Sequence, residues 1–202
     1  MLNSLDKTTC NFSGCNEEAL FRNTRCAHHL EDIGHYMGML KEFLLKTKDF
    51  SDLNLSNLVF SDLRLEGKYF YFCNLHGSIF TNCEFNNCNF QLSLLDSCRF
   101  LNCRFTEGRL GWSVLADSLL NNCVFSKQDI FRSNFNACRL QHTSFQNSSL
   151  FTSRFIKADF LQSVFVDCNL LRVHFEYAKL NDTLFKNSNQ EEAIFDSERI
   201  EE

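Results

Sequence analysis

The chain has 202 residues, 20 basic and 25 acidic side chains, a formal net charge of -5, 23 Phe, 11 Cys and no Pro. Its length and 44% apolar content permit a real core and exclude a disordered chain. The charge balance gives no footprint for direct nucleic-acid binding or a membrane surface, and no apolar run nears the ~18 residues of a span. The polar start, Met1 to Asn11, lacks the apolar stretch of a signal peptide. An odd number of cysteines cannot close into a complete disulfide set, so free thiols or metal ligands are expected in a cytoplasmic protein.

The first feature in chain order is Cys10-x4-Cys15-x10-Cys26-x2-His29. Three thiols and an imidazole make a closed tetrahedral set, suited to one structural zinc per chain rather than a catalytic one. Gly14 would ease the turn before Cys15. His28 is an alternative fourth ligand, and His35 a weaker one. The spacing is similar to short zinc motifs at the ends of bacterial proteins. A helix follows over roughly 30–46, because Ile33, Tyr36, Met37, Leu40, Phe43 and Leu44 recur at spacings of three and four.

From Phe50 onward a five-residue clock runs. Of the 31 positions taken every fifth residue from Phe50 to Ile200, seventeen are Phe, eleven Leu, two Ile and one Gln190. Two residues before each, from Cys73 to Ala193, stands Cys, Ser, Thr, Ala, Gly or Val, except at Gln128. Neither a helix nor an alternating strand has this period. Units such as Asn82-Cys83-Glu84-Phe85 and Thr152-Ser153-Arg154-Phe155 resemble the pentapeptide-repeat family over roughly residues 51–197.

That resemblance implies an all-β solenoid, a right-handed quadrilateral β-helix with four pentapeptides per coil, the central and small residues pointing inward. About seven coils then stack at the strand spacing into a rod about 35 Å long. Residues twenty apart form ladders: Phe85, Phe105, Phe125, Phe145, Phe165 and Phe185 in one, and Leu75 through Phe195 in another. Missing Pro fits an uninterrupted backbone ladder. Ser51-Asp52-Leu53, Ser56-Asn57-Leu58 and Ser61-Asp62-Leu63 match the family unit in another phase, which predicts a two-residue shift near Glu66-Gly67. Since solenoid ends expose apolar core, residues 1–49 are expected to form a zinc-knuckle and helix cap on a β-helix over 50–202.

Eight cysteines, Cys73, Cys83, Cys88, Cys98, Cys103, Cys123, Cys138 and Cys168, take the small inward slot, where core packing rather than redox or metal chemistry is expected. No phosphate loop or nucleophile–base pair is present, so no enzyme is expected. Outside, Tyr71, Phe131, Phe151 and Leu171 share one column, with Trp112 beside it, and form a candidate protein-binding stripe. The leading expectation is a non-enzymatic scaffold for a protein partner. The alternative, implied by the family's gyrase-binding members, is a DNA-mimicking rod that protects or inhibits DNA gyrase. Residues 50–202 hold 18 acidic and 14 basic side chains, and Arg99, Arg104 and Arg109 interrupt the acidic surface, so gyrase ranks second. Gln190 and the acidic residues after it are expected either to block end-to-end stacking or, as the resemblance also allows, to form a homodimer interface.

Overall fold

The computed structural model describes residues 8–196. Every central position of the clock from Phe50 to Phe175 is buried. Every fifth residue from Asp52 to Asn187 has a left-handed φ, between +49 and +67°. Each pentapeptide is thus a short extended side closed by a left-handed corner. Asn, Asp and Gly fill half of these corners, as the sterics of that region favour.

Pairing is parallel throughout the solenoid and always twenty residues apart. One seven-stranded sheet runs from Val59–Ser61 to Lys179–Asn181, and a second from Arg64–Glu66 to Leu184–Lys186. Single-residue bridges form the other two sides, from Asp49↔Tyr69 to Ser149↔Asn169 and from Asn54↔Asn74 to His174↔Ile194. The result is a four-sided parallel β-solenoid of about six turns between the first and last rungs.

The phase shift expected near Glu66-Gly67 does not occur. Phe60 pairs with Phe80 and Leu65 with Phe85, so the clock is continuous from Phe50. Asp52, Asn57 and Asp62 are left-handed corners, and Gly67 is simply the next one. Leu58 and Leu63 occupy the slot that later rungs give to small residues, and both are buried. The slot is narrow because it lies between stacked rungs; the first rung meets the N-terminal segment instead, which leaves room for Leu.

Inside, the expected ladders form. Rings of Phe85, Phe105, Phe125, Phe145, Phe165 and Phe185 stack at 4.7–5.1 Å, an offset-stacking distance. The slot residues also carry hydrogen bonds between rungs. Ser78 Oγ donates to Leu55 O at 3.0 Å and accepts the Leu58 N–H at 3.1 Å. Cys98 Sγ donates to Leu75 O at 3.0 Å, and Cys138 Sγ to Leu115 O at 2.9 Å. A small side chain with a donor therefore suits the slot better than Ala, because it adds a second hydrogen bond to carbonyls such as Leu75 O and Leu115 O, which also accept the Ser78 and Ser118 N–H groups.

Before the solenoid lie a 3-10 turn at Ala27–His29 and an α-helix at Ile33–Lys46. The helix starts at Ile33, later than the sequence pattern suggests, because the Asp32 side chain caps it by accepting the His35 N–H at 2.8 Å. Tyr36, Leu40 and Leu44 are buried and, with Leu20 and Phe21, join the same apolar cluster as Phe50 and Leu55. Ile33 stays exposed. The Phe43 ring bridges Phe21 at 4.8 Å and Phe50 at 5.5 Å. Polar contacts fix the docking: the Phe21 N–H donates to Asn54 O at 3.0 Å, and Asn54 Nδ2 donates to Glu18 O and Ala19 O. Lys68 Nζ donates to Leu45 O and Thr47 O, placing a cation at the helix C-terminus, where the helix dipole favours it.

At the other end a 3-10 turn, Gln190–Glu192, follows where the next single-residue bridge of that side would fall. Leu180, Phe185 and Phe195 are only partly buried there, so the core is less covered than at the start.

A Cys3His cluster and an aromatic edge

Four residues within a twenty-residue stretch, Cys10 to His29, meet beside the 3-10 turn. Ligand atoms of Cys10, Cys15, Cys26 and His29 all lie within 4.8 Å of one another. His29 Nδ1 is 3.5 Å from Cys10 Sγ and 3.3 Å from Cys26 Sγ, and the Cys15 and Cys26 sulfurs are 3.9 Å apart. A tetrahedral zinc with ordinary Zn–S and Zn–N bonds sets S···S near ~3.8 Å and S···N near ~3.5 Å. The spacings fit that geometry. No disulfide joins these thiols.

The local fold explains the convergence. Gly14, at φ +80°, turns the chain into Cys15. The His29 N–H donates to Cys26 O at 3.1 Å, which closes the 3-10 turn and brings its ring back over Cys26. Phe12 stacks on the His29 ring at 3.9 Å and 6°, fixing the ring plane so that Nδ1 faces the sulfurs. Burial pushes the Cys10 thiol up, but hydrogen bonds from the Cys26 and Phe12 backbone and from His29 outweigh it, and the thiol falls to about 6. His28, the alternative ligand, is exposed, and His35 sits in the first turn of the α-helix, also exposed.

The eight slot cysteines are a different population. All are buried and free. Burial pushes the Cys73, Cys98 and Cys138 thiols up to about 12 and Cys88 up to about 11. Their Sγ atoms donate to backbone carbonyls, which accounts for them as core donors.

The residues of the candidate stripe fall on one side of the solenoid. Tyr71, Phe131, Phe151 and Leu171 are half-buried, and Trp112 is exposed. Phe131 lies flat over Gly111: a Cβ on Gly111 would stand 2.4 Å from Phe131 Cε1. Trp112 meets Phe131 edge-on at 6.2 Å, and the Arg132 guanidinium lies 4.7 Å over the Trp112 ring. Tyr71 is tied down differently, its hydroxyl accepting from Asn89 Nδ2 at 2.7 Å. Phe72, Leu92 and Leu94 are also exposed beside this stripe. Sequence reasoning passed over them; the twenty-residue spacing of Phe72 and Leu92 with Trp112 was the available signal.

A second compensating pair sits inside. Gly108 leaves its slot empty and Gln128, one rung on, fills the space. With its amide oriented to satisfy its neighbours, Gln128 Oε1 accepts from the N–H groups of Thr106, Glu107 and Gly108 at 2.8–3.1 Å. This explains the one large residue in the slot series.

Among the described residues no helix is long and apolar enough to cross a membrane. No curated protein sequence is significantly similar to the chain. Solved structures are similar only distantly. QnrB1, a plasmid-mediated fluoroquinolone resistance protein, is 14% identical, covering 74% of this chain and 80% of its own, with a TM-score of 0.33. HetL from Nostoc sp. strain PCC 7120, involved in heterocyst differentiation regulation, is 11% identical over 78% and 95%, with a TM-score of 0.24. Rfr23 from Cyanothece 51142 is 11% identical over 79% and 99%, with a TM-score of 0.28. Residues 78–155 match the family model described as a pentapeptide repeat region. That match falls inside a clock whose corners run unbroken from Asp52 to Asn187, and residues 78–155 of the solenoid are a pentapeptide-repeat region.

Proposed function

We propose that the chain is a non-enzymatic scaffold of the bacterial cytoplasm that presents one face of a rigid rod to a protein partner. The observation that carries this reading is the Phe131–Trp112–Arg132 group, an aromatic cluster held on the outer face by a glycine vacancy. Buried aromatics are expected in any core, whereas an exposed cluster beside a positioned guanidinium is the composition of interface anchors. Tyr71, Phe151 and Leu171 extend the surface along the same column.

The Cys3His cluster supports one zinc per chain, held by Cys10, Cys15, Cys26 and His29. With four protein ligands the site is closed, so the metal would fix the fold of the N-terminal segment over the first rung. Residues 1–49 then act as a cap for the solenoid over 50–202. The C-terminal end, where core residues are half-covered, would serve as a homodimer contact.

DNA gyrase stands second as the partner. Arg99, Arg104 and Arg109 project from three consecutive sides and break the continuous acidic surface that a DNA-like rod requires. Partner capture with wild type and the Phe131→Asp/Phe151→Asp variant tests the scaffold reading. Loss of a partner in the variant supports it, and identical recovery by both removes the stripe from consideration. Inhibition of gyrase supercoiling by the pure protein would reverse the ranking of partners.

A further inference from the structure

Left-handed corners cost bulky residues more than they cost Asn, Asp or Gly. Yet one corner column reads Asp52, Phe72, Leu92, Trp112, Arg132, Thr152 and Arg172. Phe72, Leu92 and Trp112 have φ of +56, +62 and +63° and stand on consecutive rungs. They are 57%, 43% and 46% exposed, so burial does not repay their backbone strain. Leu94, 46% exposed, lies just beyond this corner and pairs with Val114 on the next rung. Strain kept at exposed apolar positions points to use rather than stability.

From this edge we infer the partner's chemistry: an amphipathic α-helix, apolar along one stripe and acidic at one end. Rungs at ~4.8 Å place Phe72 and Trp112 about 10 Å apart. Apolar residues at i, i+3 and i+7 of an α-helix span about the same length at 1.5 Å per residue. Charge fixes the polarity. Arg109 shares the rung of Trp112, Arg132 lies over its ring, and Arg172 stands two rungs further along the column. None of the three is ion-paired among the described residues. Asp129 is the ladder neighbour of Arg109 and the one acid on the rung of Arg132. Acidic side chains of a helix would therefore meet the Arg132 end.

This inference rests on the scaffold reading and names its occupant. The sole tryptophan, Trp112, sits at the centre of the edge and reports on it directly. The probe is a synthetic helical peptide with Leu at i, i+3 and i+7 and Glu over the following two turns; the control carries Lys in place of Glu. The Glu peptide should shift Trp112 emission to the blue and saturate, with the Lys peptide at least tenfold weaker. Phe72→Asn/Leu92→Asn should fold as wild type, since Asn suits these corners, and lose at least tenfold in affinity. Arg132→Glu should reverse the peptide preference. Equal binding of both peptides, undiminished binding by the Asn pair, an emission shift driven by protein concentration alone, or a response confined to anionic vesicles would each overturn the inference. If the peptide fails while partner capture still depends on Phe131 and Phe151, the scaffold reading stands and only this edge is wrong.

Discussion

Replacing Gly111 with Ala should destabilise the protein when residue 131 is Phe and stabilise it when residue 131 is Ala. The backbone at Gly111 is not left-handed, so Ala is allowed there and alone would gain about 0.4–1 kcal/mol from lower unfolded-state entropy. With Phe131 in place the new Cβ would stand 2.4, 2.8 and 2.9 Å from three ring atoms. The ring must lift, losing its seat on the face and its edge contact with Trp112, an overpacking cost of about 1–3 kcal/mol. The net for Gly111→Ala is then a loss of about 1 kcal/mol or more. In a Phe131→Ala background the same change should gain about 0.5 kcal/mol. The coupling between the two sites comes to about 2 kcal/mol, well above the ~0.5 kcal/mol of unrelated pairs. Urea unfolding of the four proteins, followed by circular dichroism, measures it. Additivity within that error would refute the claim that the glycine exists to seat the ring.

Metal analysis should find one zinc per chain in the purified protein, and Cys26→Ser should lose it along with protection of the Ile33–Lys46 amides from exchange. After chelation, a thiol reagent near pH 8 should label three cysteines quickly, Cys10, Cys15 and Cys26. The eight slot thiols should react only on unfolding, because all eight are buried away from the reagent and burial also pushes Cys73, Cys98 and Cys138 up to about 12; fast labelling of more than three would contradict the core assignment. Gly108→Ala should cost about 2–3 kcal/mol, since its Cβ would stand 2.4 Å from the Cys88 carbonyl oxygen, a backbone atom that cannot swing away. Gly38→Ala, in the helix with nothing within 4 Å, should instead gain about 0.5–1 kcal/mol, which separates crowding from a general effect of Gly→Ala.

What could be read from the residues alone follows from where the solenoid constrains them. Central Phe and Leu, and the slot two residues earlier, face a space bounded by the rungs above and below. Their spacing therefore exposed the repeat, the ladders and the role of eight cysteines, whereas the four-sided cross-section was implied by the family resemblance. The Cys3His set was legible because thiols are scarce elsewhere outside the slot; choosing His29 over His28 needed the 3-10 turn that carries one ring inward and the other out. The phase error at Ser51-Asp52-Leu53 arose because Asp and Asn serve two positions in such a chain. They suit the flank of the central residue, and they also suit the left-handed corner. Only pairing between Phe60 and Phe80 distinguishes the two, and it is a long-range fact. The same ambiguity hid the apolar edge. Without knowing which fifth residue turns left-handed, Phe72, Leu92 and Trp112 look like scattered exceptions. Once the corners are placed, the three stand out as bulky apolar side chains at left-handed positions, set on consecutive rungs and left in solvent. Selection for stability alone would have put Asn, Asp or Gly there, as it did at Asn82, Asn102 and Asn122, whose side chains hydrogen-bond in series along another corner. The contrast between those two corners of one rod is the physical ground for assigning binding to the first.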